Sequence, residues 1–435
     1  MPSTILFITA TLLLSLNLVR PFGLAVSDWL YFGALGFGLL ETFSMQRRHA
    51  PCWWQNRFLW AVALILFGAI ISTMNSQRWA VALVEIFQQV FVMTLFVSLT
   101  WIMVRRGKTR PILLAFILSG LLTMGVILID YITGSRLGPA LSGTPNLQLW
   151  GRFAGTLGHP NKLGYFVVLT TLLSIGQLLN LKPARAAFLL RLLWGACIAV
   201  QIFGIYLSGS MTAYLGLIAG FLVFMLSSKM MLNRVTGMFG LVTGAATLMI
   251  VFWLIASPVS VTGSPGLKEN SIARALDRVQ TSTAESRLTT YAQAWEQITH
   301  NPWFGVGYDQ ISTSGVHAAS RFLDFSVHNP LLQIWYTGGL FAFIGWTAIY
   351  LSIGWMTLVI LRNERQEALS PEILSLAAAT LALLLMDQFQ DSIYQREKWL
   401  VIGLLAGIVW TRIGSRVTKT ISLNDQATSI PDTTA

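Results

Sequence analysis

The apolar positions of this chain run in long unbroken stretches, neither alternating nor forming the narrow stripe of a soluble amphipathic helix. A helix of about 20 apolar residues crosses the hydrocarbon core of a bilayer. On that measure spans are predicted at 3–19, 26–44, 58–75, 79–104, 111–133, 161–181, 188–208, 211–228, 232–256, 330–361, 371–389 and 395–412. Runs apolar on every side leave no face for water, so the pattern predicts an all-α polytopic membrane protein with about 12 transmembrane helices. The first run lacks a basic leader and a small-residue cleavage site, so it reads as a span rather than a signal peptide. Two polar segments have real length, 134–160 and 257–329. The second is a large loop before the tenth span.

Composition agrees. Of 435 residues 54% are hydrophobic and 11% charged, with mean hydropathy +0.63, against roughly 25% charged in soluble domains. The net charge of +11 is distributed by loop. With a cytoplasmic N-terminus the inner loops hold Arg47, Arg48 and Arg57, then Arg105, Arg106, Lys108 and Arg110. Further on they hold Lys182, Arg185, Arg191, Lys229, Arg234, Arg362 and Arg365, and the tail adds Arg412, Arg416 and Lys419. Cations concentrate on the cytoplasmic side of membrane proteins, so both termini are expected inside and both long segments outside. The charge thus expresses topology and affinity for anionic lipid, and gives no support to nucleic-acid binding. Cys52 falls in an inner loop and Cys197 in a span, which suggests neither a disulfide framework nor a metal cluster. The expected organisation is one transmembrane domain over 1–419, with an outer loop at 257–329 and a polar, disordered cytoplasmic tail at 420–435.

Candidate chemistry gathers in the outer segments. Ser282-Thr283-Ala284-Glu285 matches a capping box and predicts a helix start. On that helix Arg287, Tyr291, Trp295 and Ile298 share one face, and Pro302 with Gly305 and Gly307 ends it. The face suits either a membrane surface or the helix bundle. His328-Asn329-Pro330 opens the next span, with Asn329 as cap and Pro330 in the first turn. His328 then stands beside a helix N-terminus, which favours anions and a neutral imidazole, the form a general base needs. Arg152 to Asn161 repeats the design: His159 precedes Pro160, with Arg152 and Lys162 nearby. Two such N-termini with arginines would form an anion pocket suited to a diphosphate. The bland alternative makes Gly155, Gly158 and Pro160 ordinary loop punctuation and Lys162 an interfacial anchor. Arg274 and Arg278, at i and i+4, form either a solvated face or a headgroup contact, and Arg278 is kept as a candidate ligand. Within the spans, Glu85, Gln88 and Gln89 make a polar stripe. Asp387, Asp391, Arg396, Glu397 and Lys398 cluster near the last two spans, where an ion-pair network is expected, with an acceptor site as the alternative.

Three blocks resemble the bacterial O-antigen ligase and polysaccharide polymerase superfamily: GRFAGTLGHPNKLG at 151–164, SRLTTYAQAWEQITHNPWFGVGYDQ at 286–310, and HNPLLQIWYTGGL at 328–340. The resemblance implies a membrane-embedded glycosyltransferase of the GT-C type, without metal or other cofactor, in the bacterial inner membrane. Its donor would be a glycan on undecaprenyl pyrophosphate, and its acceptor a hydroxyl of a glycan or glycolipid at the periplasmic face. Carried onto this chain, Arg287 would bind the leaving pyrophosphate, and His328 would activate the acceptor hydroxyl or orient the phosphates. Arg152 would be a second phosphate ligand, with His159, Asn161, Ser210 and Arg278 as further candidates. One turn departs from the pattern. Many ligases have Ser-Arg there, and this chain reads Ser208-Gly209-Ser210-Met211-Thr212, which favours a polymerase over a lipid A–core ligase. Ala342 also stands where the family commonly has glycine. The other readings are a protein O-oligosaccharyltransferase of the same superfamily, a carrier or flippase for lipid-linked sugars, and a non-catalytic scaffold.

Overall fold

The computed structural model describes residues 1–16, 25–44, 53–135, 137–142, 152–181, 188–226, 283–310, 327–364, 370–390 and 392–411. Among them every regular element is helical. The chain forms α1 (Pro2–Leu12), α2 (Val26–Ser44), α3 (Trp53–Ser72), α4 (Trp79–Arg105) and α5 (Thr109–Thr133). There follow the short α6 (Leu137–Ser142), then α7 (Pro160–Asn180), α8 (Phe188–Ser208), α9 (Met211–Leu226) and α10 (Thr283–His300). Last come α11 (Pro330–Glu364), α12 (Pro371–Met386) and α13 (396–411). Seven helical stretches are long and apolar enough to cross a membrane: Arg57–Asn75, Trp79–Arg105, Thr109–Thr133, Pro160–Asn180, Phe188–Ser208, Pro330–Arg362 and Pro371–Phe389. Pro2–Leu12 and Met211–Met225 are shorter apolar helices. The span expected at 232–256, Arg278, Asp391 and the tail at 420–435 lie outside the described residues.

Helices α7 and α13 form the centre. Leu163 to Leu173 of α7 and Trp399 to Leu405 of α13 are almost wholly buried. Outside them, α3, α4 and α8 leave large apolar side chains such as Trp60, Phe87 and Leu189 exposed, the surface expected of helices facing lipid. Lipid is as apolar as leucine, so such helices associate through close packing of small residues. A Cβ added at Gly68 would come within 2.5 Å of the Ala342 amide, and one at Gly345 within 2.5 Å of the Ala61 carbonyl. Helices α3 and α11 therefore lie in backbone contact. Ala342, the departure noted in the third block, is the residue Gly68 makes room for.

Charges pin both ends of the bundle. At one end Arg106 reaches Glu41 at 2.5 Å and Ser3 Oγ at 2.8 Å, tying α1, α2 and α4 together. On the same side Arg110 and Asn180 meet Glu372 at 3.4 and 3.1 Å. At the other end Arg396 pairs with Asp28 at 2.6 Å. There too Lys398 pairs with Asp387 at 2.5 Å, both side chains fully buried. Asp387 also accepts from Tyr165 (3.0 Å), Tyr350 (2.6 Å) and Ser392 (2.6 Å). The Lys398 ammonium lies 5.3 Å from the Trp346 ring and 5.1 Å from that of Tyr350. A buried ion pair stays tolerable only when its other lone pairs and protons are met, as they are here.

Helix α11 is not continuous. Gly339 has φ 72° and ψ −171°, which breaks the helix about two and a half turns after Pro330. The sequence alone predicts a single span at 330–361. The break frees the carbonyls of Tyr336 and Thr337, and the turn after α10 takes them. Val306 N donates to Tyr336 O at 3.0 Å and Gly307 N to Thr337 O at 3.3 Å, while Leu340 N returns to Pro302 O at 2.9 Å. Ser72 Oγ adds a second bond to Thr337 O at 2.6 Å, and Asn75 holds Gly305 O at 2.8 Å. The Pro302–Gly307 turn is thus a splint across a broken transmembrane helix.

Candidate functional site

Helices α7 and α11 both begin at the end of the bundle opposite Arg106, each with histidine ahead of proline. At α7 the histidine is itself the cap: His159 Nδ1 accepts from Asn161 N at 3.1 Å. Acceptance at Nδ1 puts the ring proton on Nε2 and leaves that N–H as a donor. Burial, followed by the charges of Lys162, Arg152 and His328, holds this imidazole down at about 4. That influence of His328 also places the start of α11 near the start of α7.

Arg152 is fixed before it meets any ligand. Its backbone runs beside the end of α8, where Phe153 N donates to Leu207 O at 3.1 Å. Its Nε donates to Ser208 O at 2.6 Å and its Nη2 to Asn161 Oδ1 at 2.6 Å. The first bond satisfies a carbonyl at the α8 C-terminus, the second orients the amide beside the α7 N-terminus. Below this segment, Thr156 bonds Ser15 O and Thr123 at 2.7 Å each. Arg152, His159 and Asn161, three of the residues picked from sequence, are thus one hydrogen-bonded unit.

The Ser208–Thr212 turn abuts it. Gly209 has φ 54°, and a Cβ added there would lie 3.5 Å from Arg152 Nε. Ser210 is buried, its Oγ without a hydrogen-bond partner, and the same holds for the Tyr214 hydroxyl one turn on. The Arg152 charge reaches Tyr214, so both hydroxyls stand on the arginine's side of α9. Sequence reasoning found Ser210 and missed Tyr214. The signal was there, since i and i+4 share a helix face, but tyrosine in an apolar run reads as packing.

His328 adopts a left-handed backbone, φ 51°, alone among the described non-glycine residues. Such a conformation costs of order 1 kcal/mol or more and concentrates at functional positions. Asn329 caps α11 as expected, accepting from Leu332 N at 3.1 Å, and its amide faces Gln388 O at 3.4 Å. Helix α10 docks on α11: Ala294 and Ile298 are buried with Val306, Val327 and Tyr336, and Trp295 meets Trp335 edge-on at 5.6 Å. The buried face thus centres on Ala294 and Ile298 with Tyr291 packed beside them, while Trp295, on the face expected from sequence, stays 52% exposed. Arg287 lies on α10, with its side chain outside the described set, and Arg278 is outside altogether.

The polar stripe of α4 faces inward. Glu85 and Gln89 are buried, and Tyr308, in the turn after the splint, donates to Gln89 Oε1. Beside it Arg78 lies 3.8 Å from Asp309. The stripe therefore anchors the Tyr308–Gln310 turn to α4.

Taken together, the arrangement offers an arginine, a neutral histidine N–H, two unengaged hydroxyls and two helix N-termini. That is chemistry for a multiply charged oxyanion. Residues 196–347 match the family model described as O-antigen ligase. The match takes in the Ser208–Thr212 turn, α10, the splint, His328 and the α11 break, and supports the resemblance to the O-antigen ligase and polysaccharide polymerase superfamily. It stops short of the Arg152 segment and of α13. No curated protein matches the chain.

Proposed function

From the premise of an O-antigen ligase-type membrane enzyme, we propose a glycosyltransferase that takes a glycan from undecaprenyl pyrophosphate at the periplasmic face of the inner membrane and passes it to an acceptor hydroxyl. The supporting observation is the Arg152–Asn161–His159 unit, three hydrogen bonds running from Ser208 O to the α7 cap. A glycosyl pyrophosphate already carries its leaving group, so the protein must neutralise charge on the departing diphosphate and remove one proton. Arg152, the Nε2–H of His159, Ser210 and Tyr214 meet the phosphates. Arg287 joins them from α10. His328 works on the phosphates or the acceptor hydroxyl, its position held by the left-handed turn. Metal plays no part in this assignment, because the cationic and N–H donors carry the charge. The Ser208–Thr212 turn favours a polymerase, in which the acceptor is a second lipid-linked repeat unit.

A carrier for lipid-linked sugars is the second reading, and the break at Gly339 favours it, since broken helices mark transport sites. Its liberated carbonyls, however, already accept from the 306–307 amides and Ser72, so the break needs no ion or substrate to satisfy it. The test is complementation of a surface-polysaccharide-deficient strain with wild type, Arg287→Ala and His328→Ala, run on gels that separate lipid-linked donor from finished polymer. Normal expression with accumulated donor supports the transferase: single repeat units identify a polymerase, long lipid-linked chains a ligase. Full polymer from both variants overturns it.

A further inference from the structure

Three consecutive charged residues open α13, and the two outer ones are committed. Arg396 binds Asp28 of α2 at 2.6 Å, and Lys398 binds Asp387, after the end of α12, at 2.5 Å. The middle residue, Glu397, is 7% exposed. Apart from its own backbone amide, no group among the described residues bonds its carboxylate. Buried carboxylates are nearly always paired, so an unpaired one calls for a reason.

Its surroundings supply one. The charges acting on Glu397 are those of Arg396 on its own helix, Lys162 in the first turn of α7, and Asp387. Tyr165 of α7 and Tyr31 of α2 feel it in turn. Geometry agrees: Tyr165 of α7 bonds Asp387 at 3.0 Å and Lys398 pairs with the same carboxylate at 2.5 Å, so the start of α13, with Glu397, lies beside the first turns of α7. The two flanking ion pairs fix its helix against α2 and the end of α12, so the carboxylate is held in place with only its own amide bonded to it among the described residues.

We propose that Glu397 is the acceptor-side base of the transfer: its carboxylate receives the hydrogen bond of the incoming sugar hydroxyl and then its proton. This rests on the transferase reading above and decides what that reading left open, releasing His328 to the phosphates. The balance is simple. The acceptor oxygen bonds the anomeric carbon and its proton passes to Glu397. The bond from that carbon to the pyrophosphate oxygen breaks, and the electron pair leaves with undecaprenyl pyrophosphate. No oxidant, reductant or further reactant is needed.

The test uses full-length protein in membranes of a strain lacking its own copy, with that strain's endogenous lipid-linked glycan as donor. Wild type, Glu397→Gln, Glu397→Asp and Arg152→Ala are compared for membrane level, thermal stability, polymer formed and the pH dependence of its rate. Glutamine keeps size and hydrogen bonding but accepts no proton. The expected result is a Glu397→Gln variant of wild-type level and stability whose transfer rate falls about 100-fold or more. Aspartate should restore a measurable fraction, and the acid limb of the rate profile should disappear in the glutamine variant. A structural role moves stability and leaves that limb in place. Wild-type rate in Glu397→Gln, or an unchanged profile at reduced rate, overturns the proposal. If Arg152→Ala also keeps full polymer, the transferase reading fails with it; if only Arg152→Ala loses polymer, the transferase stands and Glu397 alone is dismissed.

Discussion

Arg152 and Asn161 meet at 2.6 Å across the gap between a loop and the first turn of α7. The arginine also spends its Nε on Ser208 O, so one guanidinium bridges the end of α8 and the beginning of α7. Its Nη2 bond to Asn161 brings the charge to the first turn of α7. Arg152→Lys keeps the charge and loses the fork. We expect lysine to leave less than about a tenth of wild-type transfer and alanine about a hundredth, with both variants present in the membrane at comparable levels on immunoblots.

Ser210 and Tyr214 permit a sharper test, because an unpartnered buried hydroxyl costs stability. Leaving such a group unmet costs roughly 1–3 kcal/mol. Tyr214→Phe and Ser210→Ala should therefore leave the ligand-free protein as stable as wild type or slightly more so, by thermal melting in detergent. Transfer should nevertheless fall about tenfold in each. Loss of stability together with activity would place the hydroxyls in packing instead.

His159 gives a pH signature. Its imidazole is held at about 4 in the folded protein, against 6.5 for an ordinary histidine. The folded form thus resists a proton that the unfolded chain accepts. Stability from this group is complete above pH 6.5 and is lost as pH falls toward 4. The loss should be on the order of 2–3 kcal/mol. His159→Asn, which can still cap α7, should flatten the fall in melting temperature between pH 7 and 5.

The Asp387–Lys398 pair predicts an asymmetry. Lys398→Met leaves a carboxylate buried with three hydroxyl donors and no cation, which should cost about 3–5 kcal/mol. Combining it with Asp387→Asn removes the stranded charge and should recover more than half of that loss. Melting of both single variants and the double variant completes the cycle.

How much of this was legible in the sequence depends on what each residue's partner was. Helices α2 and α8 begin and end where the apolar runs do, because hydrophobic length sets them locally. The Asn329 cap and the start of α7 at Pro160 followed from proline in the first turn, again a local rule, while the cap role of His159 did not. Bringing His159 close to His328 depends on how α7 and α11 pack, and no spacing encodes that. The break at Gly339 was hidden for a different reason. Gly338-Gly339 sits inside an otherwise apolar span, and glycine is common in transmembrane helices. Only the Pro302–Gly307 turn on the other side of the break reveals that the helix stops. Glu397 read as one member of a charge cluster, because sequence shows three adjacent charges without showing that two of them are taken.

Gly339 supplies the last prediction. Its φ of 72° with extended ψ admits only glycine, and a Cβ there would strike the Trp303 carbonyl. Gly339→Ala should cost at least about 3 kcal/mol and lower the amount of protein in the membrane. Gly354→Ala, on the same helix with open space around it, should be neutral or slightly stabilising.

The splint also has an order in time. The amides of Val306 and Gly307 leave the ribosome some thirty residues before the carbonyls of Tyr336 and Thr337 that they satisfy. The second half of the pair therefore arrives to find its partner already waiting. A transmembrane helix with two bare carbonyls is a poor substrate for insertion by itself. The preceding turn is therefore expected to act as a chaperone in cis, with α11 completed as a span by the chain that came before it.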